Sequence, residues 1–263
     1  MEESFYELVE FVENRTSFHL HNYKERPLAR RLKVRMRILG LDDYRAYLKF
    51  LQDNPKELEL LREVLTINLS YFFRNPETFD YLKKELLNEF KNKKDVTFWS
   101  AGCAQGEEAY SLAILAAEAG ILNQVKIFGS DIDDDVLDKA KTGYYPVSAF
   151  QYVPPDILKK YFTPEKTGYS INEPIKSSVK FLHLDLFETP FFGLCDLIMC
   201  RNVLIYLDRS GQSMVLGNFY NQMKSEGYLV IGKVELLLGI PEARFFTVVN
   251  RAEHVYKKVP EHD

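Results

Sequence analysis

Apolar residues recur at helical spacing from the start of the chain. Phe5, Leu8, Val9 and Val12 form one stripe of an amphipathic first helix. Pro27, which suits a first helical turn, opens a second helix predicted over 27–39 and stopped by Gly40. Leu28, Leu32, Met36 and Leu39 make its apolar side. Further helices are expected over 42–51, 55–65 and 77–90. After the polar run 91–95 the period changes. Short β-forming runs at 96–99, 125–129, 179–184, 195–199 and 228–232 alternate with helical stretches that open near Glu107, Asp133 and Ser210. The runs 245–249 and 254–259 close the chain as an antiparallel pair. Seven strands in this order predict a doubly wound α/β sheet, mainly parallel and made mixed by the final hairpin.

The pattern divides the chain into a small all-helical domain over 1–69, a linker and connecting helix over 70–94, and an α/β domain over 95–263. One stretch breaks the alternation. Residues 144–178 hold five prolines and a few β-prone bits, and read as an insertion with a short helix and a small antiparallel flap. With 263 residues and 46% hydrophobic content, the chain can bury a substantial core. Its longest apolar runs, such as 236–238, are far too short to span a bilayer. The acidic, amphipathic start is unlike a secretory signal, and no membrane insertion is expected. Three cysteines, Cys103, Cys195 and Cys200, lack metal-ligand spacing and cannot all pair, which fits a reducing cytoplasm and no metal.

Charge changes the picture locally. The formal net charge is −4, yet between Lys24 and Arg37 seven basic residues face only Glu25. At 100° per residue Arg26, Arg30, Lys33 and Arg37 fall within about 60° of one another on the second helix. Such a stripe reads either as a solvated face or as a docking surface. Four like charges without compensating glutamates cost helix stability, which favours docking to an acidic partner and not to nucleic acid.

The most informative stretch is 96–115, a strand, a glycine loop and a helix. This is the opening unit of a nucleotide-type domain, with a ligand held where strand passes to helix. The loop is not the dinucleotide fingerprint, because Gly102 and Gly106 flank Cys103-Ala104-Gln105. Glu107 and Glu108 stand where a pyrophosphate would meet the helix N-terminus. They would repel a phosphate and welcome a cation. S-adenosylmethionine carries a sulfonium and an ammonium and no phosphate, so it suits this loop better than NAD; the same glutamates could also be simple helix caps. At the other strand ends stand Asp131, Asp185, Arg201 and Asn202. Asp131, about twenty residues after the helix begins, is placed to accept ribose hydroxyls, and Asp185 to read an adenine edge. Asp131 also precedes a helix and could serve only as its cap.

Four motifs, WSAGCAQGEEAYSLAIL, SDIDDDVLDKAKTGYY, CRNVLIYLD and TINLSYFFRNP, together closely resemble the CheR family of chemotaxis receptor glutamate methyltransferases. The resemblance covers nearly the whole chain in the right order. It implies a class I methyltransferase-like, Rossmann-like sheet. It also implies methyl transfer from S-adenosylmethionine to glutamate side chains of methyl-accepting chemotaxis receptors, leaving S-adenosylhomocysteine and a glutamyl methyl ester. By that resemblance Gly102, Glu108, Asp131, Asp185, Leu186, Arg201 and Asn202 bind the cofactor, and Asn68, Ser70 and Arg74 close over it. The basic helix meets the receptor, and the 144–178 insertion corresponds to a β-subdomain that in some members docks a receptor C-terminal peptide. The partner is the receptor's cytoplasmic domain, with the enzyme expected as a cytoplasmic monomer. Arg74 is expected to orient the substrate carboxylate, and Tyr206 to offer a hydrogen bond or a wall, or else to be a packed core residue. Three departures stand out. Ser70 replaces threonine, Gln105 replaces a small hydroxyl residue, and Gly232-Lys233-Val234-Glu235 replaces Gly-His-Ser-Glu. Two other readings stay open: a methyltransferase of the same fold for another protein or a small molecule, and a non-catalytic module that keeps the cofactor as a sensor.

Overall fold

The computed structural model describes residues 2–66 and 69–260. They form two compact units: residues up to 66 with 205–214, and residues 69–204 with 215–260.

The first unit holds α1 (Glu3–Glu13), α2 (Glu25–Ile38), α3 (Tyr44–Asp53) and α4 (Pro55–Leu65). The expected stripes are its core: Phe5, Leu8, Leu28, Leu32, Met36 and Leu61 are buried. α2 begins two residues earlier than predicted, so Pro27 lies inside its first turn, where no N–H bond is required. Asp43 caps α3 by accepting the Ala46 N–H (2.8 Å). Two of the seven bases turn inward. Arg35 makes a fork onto Glu57 (2.8 and 2.7 Å), which also accepts from the Tyr47 hydroxyl (2.9 Å). Arg31 donates to the Leu65 carbonyl and lies 4.6 Å over the Tyr206 ring. Arg26, Arg30, Lys33 and Arg37 remain exposed. Residues 205–214 belong here through main-chain bonds that no periodicity signals: Lys24 N–H to the Tyr206 carbonyl (2.9 Å) and Asp208 N–H to the Asn22 carbonyl (2.8 Å).

The second unit is built on a seven-stranded sheet. Its strands are β1 (Val96–Ala101), β2 (Val125–Asp131), β6 (Val179–His183), β7 (Cys195–Cys200), β8 (Met223–Ile231), β9 (Phe246–Asn250) and β10 (Val255–Lys258). Their order is β6-β2-β1-β7-β8-β10-β9, parallel except for β10. The chain runs outward from β1 to β6 on one side, then returns to β7, so the switch point lies between β1 and β7. The helices are α5 (Pro76–Tyr81), α6 (Leu87–Phe90), α7 (Glu107–Glu118), α8 (Asp134–Thr142), α9 (Pro155–Tyr161), α10 (Glu173–Lys176) and α11 (Arg209–Gln222), whose first turns fall in the first unit. The insertion folds as a three-stranded antiparallel sheet of β3 (Tyr144–Pro146), β5 (Gly168–Ile171) and β4 (Phe162–Pro164), in that order.

Two expectations are corrected. Residues 70–94 are not a linker: Phe72, Phe79, Leu82, Leu86 and Phe90 are buried in the same core as Phe98 and Leu197. The predicted single helix there is broken by a π turn at Leu82–Leu86, so that consecutive apolar residues share one buried side. β8 starts at Met223, not near Tyr228. The polar Lys224-Ser-Glu-Gly run reads as a loop, but Met223 pairs with Cys195 and the next pair is Leu197 with Tyr228, so the run is an irregularity carried within β8.

Candidate active site

The loop from β1 to α7 wraps the switch point. The N–H groups of Gly102 and Cys103 both reach the Ser130 carbonyl at the end of β2 (2.8 and 2.9 Å). Gly102 has φ 73°, and a Cβ there would come within 2.6 Å of Val203, so the turn after β7 can close on this loop only against a glycine.

Around this loop the carboxylates take different roles. Glu108 accepts from the Ser100 hydroxyl (2.8 Å) and stands 3.5 Å from the Arg201 guanidinium. Burial pushes its pKa up and the arginine pulls it back. Asp131 accepts the Ala104 and Asp133 N–H groups (2.9 and 3.2 Å), and burial raises it to about 6. Asp185 is buried and accepts the Phe187 N–H (3.0 Å), so its carboxylate shapes its own loop. Leu186 follows, its carbonyl held by the Asn218 amide (3.0 Å).

Glu107 departs from the pairing with Glu108 that the sequence suggested. It is buried, accepts a hydrogen bond from Ser70, and has its pKa raised to about 7 by burial. Between its unfolded value of 4.5 and about 7 the folded chain keeps a proton that the unfolded chain has lost, so stability falls as pH rises through this window. Glu107→Gln removes that penalty. In urea melts it is expected to match the wild type near pH 4.5 and to exceed it at about pH 8 by up to roughly 3 kcal/mol. Equal stabilities at the higher pH would contradict this.

Arg201 is buried and turns its two Nη groups to partners inside the protein. Its Nη2 donates to the Arg74 carbonyl (2.6 Å) and Asn75 Oδ1 (2.5 Å), bracing a segment in which Phe73 and Asn75 have φ of 53° and 60°. The Arg74 guanidinium is half-buried and donates to the Leu69 carbonyl (3.3 Å). Asn202 has φ 62°. Among the described residues of the second unit, Arg201 Nε, Asn202 Oδ1 and Glu107 Oε2 are buried without a hydrogen-bond partner. Orphaned polar atoms of this kind call for an explanation, and a polar ligand supplies one. Asn202 Oδ1 and Glu107 Oε2 are acceptors and Arg201 Nε is a donor, so a ligand that both donates and accepts hydrogen bonds, as S-adenosylmethionine does, suits them.

Comparison with known proteins gives the family. Residues 68–253 match the CheR methyltransferase SAM-binding domain, and residues 3–66 match the CheR methyltransferase all-alpha domain. The chain belongs to the CheR methyltransferase family. It is 30% identical over 247 residues to a chemotaxis protein methyltransferase of Borreliella burgdorferi, covering 88% of this chain and 87% of that one. A chemotaxis protein methyltransferase of Salmonella typhimurium is 33% identical over 241 residues, covering 88% and 83%. The expected seven-stranded sheet, helical N-terminal domain and S-adenosylmethionine-binding domain are those of the CheR family.

Within this CheR chain the structure gathers Ser70, Arg74, Gly102, Glu108, Asp131, Asp185, Leu186, Arg201 and Asn202 into the second unit. Asn68 lies outside the described residues. Tyr206 is carried by the first unit, its ring under Arg31. Asn75 and Glu235 carry no sequence signal of their own, the first standing next to Arg74 and the second ending the altered Gly232–Glu235 motif, while Glu107 reads, like Glu108, as a carboxylate welcoming a cation or capping the helix. In the changed middle, Lys233 pairs with Glu253 (3.1 Å) and Glu77 (3.5 Å), and Val234 is 69% exposed.

Proposed function

We propose that this chain methylates glutamate side chains on the cytoplasmic domain of methyl-accepting chemotaxis receptors, using S-adenosylmethionine and forming glutamyl methyl esters. The observation that carries the receptor part is the exposed stripe of Arg26, Arg30, Lys33 and Arg37 on α2, in a chain whose net charge is −4. It complements an acidic helix. The names of the relatives as chemotaxis protein methyltransferases support the same reading.

Asp131 holds the ribose hydroxyls, Glu108 faces the cationic end of the cofactor, and the Asn202 carboxamide supplies a further acceptor. When bound, the cofactor supplies an electrophilic methyl group on a sulfonium. The substrate glutamate needs no strong base, because its reference pKa of about 4.3 leaves it ionised at neutral pH. Arg74 holds one carboxylate oxygen so that the other is free to attack, and the closed cleft keeps water from solvating the anion. The cleft also protects itself. Cys103 and Cys200 are buried near Glu108 and Asp131, and burial raises both thiols well above their ordinary range. Neither offers a thiolate to compete for the methyl group.

Incubation with methyl-tritiated S-adenosylmethionine and purified receptor cytoplasmic fragments tests the proposal. Label is expected on the receptor and is released as methanol by mild base. Label that stays on through base treatment, or that appears only on small molecules, points to another substrate; no transfer at saturating receptor supports a binding module.

A further inference from the structure

The buried carboxylate of Glu235 has no part in the chemistry above, yet it sits at the seam between two strand ends. β8 ends at Ile231 and the chain turns at once. The Glu235 N–H donates to the Gly232 carbonyl (2.9 Å), and Glu235 Oε2 accepts in return from the Gly232 N–H (2.5 Å). The same oxygen accepts the Asn202 N–H (2.9 Å), from the turn that follows the neighbouring parallel strand β7. One oxygen thus ties the ends of β7 and β8 together. The approach is close enough to require Gly232, where a Cβ would stand 2.6 Å from that oxygen and 2.9 Å from the Asn202 nitrogen.

Asn202 gains most from the tie. Its φ of 62° lies in the left-handed region, which asparagine enters more readily than most residues with a side chain but still at some cost. Glu235 is 3% exposed, so its bonds to these N–H groups are little weakened by water. Beyond the turn, Asn202 Oδ1 is buried and unpartnered.

We infer that Glu235 is a positioning residue of the cofactor cleft: by holding the Asn202 N–H it fixes the left-handed turn that sets the Asn202 carboxamide in place at the strand ends. The inference rests on reading that cleft as the S-adenosylmethionine site. It also explains the altered motif. The two ends, Gly232 and Glu235, make the tie, while Lys233 and Val234 between them make none of it.

Calorimetric titration of the full chain with S-adenosylhomocysteine, on a double-mutant cycle of Glu235→Ala and Asn202→Gly, tests this. Glu235→Ala is expected to weaken binding about tenfold or more, through a mispositioned Asn202. In the Asn202→Gly background the same change is expected to matter less than about twofold, because glycine adopts the turn unaided and the carboxamide is gone. Glu235→Gln, which keeps an acceptor oxygen, should stay within about threefold of the wild type. Unchanged affinity in Glu235→Ala overturns the inference, and so does an equal loss on both backgrounds, which marks a general structural role. If Glu235→Ala does not melt cooperatively, Glu235→Asp takes its place in the cycle, with the same expected and contradicting results. A wild-type chain that does not bind S-adenosylhomocysteine contradicts the cofactor reading itself. Wild-type binding that is indifferent to Glu235 contradicts only the inference.

Discussion

Asp131→Ala is expected to lower affinity for S-adenosylhomocysteine by about a thousandfold. Two hydroxyl bonds to a carboxylate contribute roughly 1.5–3 kcal/mol each, and their loss together accounts for a change of that order. The variant also frees the Ala104 N–H that Asp131 now holds at 2.9 Å, loosening the loop that closes on the ligand. Asp131→Asn keeps one acceptor oxygen and should fall between. The wild type carries its own control in pH. Burial raises Asp131 to about 6, so the free site takes up a proton below that value. A protonated carboxyl is a poorer acceptor for two hydroxyls, and affinity should fall as the solution is acidified below that value and level off near that of Asp131→Asn. Titration calorimetry across this range checks both statements. Affinity of Asp131→Ala within about threefold of the wild type would contradict the assignment.

Reversing the stripe on α2 should cripple turnover of receptor while sparing the cofactor. In Arg30→Glu with Lys33→Glu, two exposed cations become anions facing an acidic helix. Like-charge juxtaposition of this kind costs roughly 1–2 kcal/mol per site at low salt. A loss of about a hundredfold in kcat/KM for receptor fragments follows. The loss should shrink as salt is added, because the Debye length is about 10 Å at 0.1 M. Both residues are exposed, so thermal stability should change little. Initial-rate methylation assays over a salt series, with S-adenosylhomocysteine titrations alongside, separate docking from cofactor binding. Equal kcat/KM for the variant and the wild type would contradict a docking role.

The sequence conveyed the sheet because each strand end there coincides with a change of period. β1, β2, β6 and β7 stop where Gly102, Asp133, Asp185 and Asn202 break the apolar run. It hid β8's true start, since Lys224-Ser-Glu-Gly is polar and only the pairing of Met223 with Cys195 before it extends the strand. It also misread 70–94, whose helical period is compatible with a free helix and with a buried one. At the candidate site, charge patterning singled out Glu108 and Asp131 but could not tell Glu107 from Glu108. Adjacent helical residues point about 100° apart, and only packing shows that Glu107 turns toward Ser70 and stays buried. Arg201 was legible as a strand-end cation; that its Nη2 would be spent on the Arg74 carbonyl and Asn75 depends on contacts 127 and 126 residues apart in the chain. Glu235 was hidden for the same reason, being 33 residues from the Asn202 N–H that it holds.

The most direct measurement is to locate the transferred group. Receptor cytoplasmic fragments, incubated with the chain and methyl-deuterated S-adenosylmethionine, are digested and sequenced by tandem mass spectrometry. Deuterated methyl on glutamate side-chain carboxyls is the predicted result, absent from a parallel reaction with Asp131→Ala. Deuterated methyl on lysine, cysteine or a backbone terminus, or an unmodified receptor after the cofactor has been consumed, would contradict it.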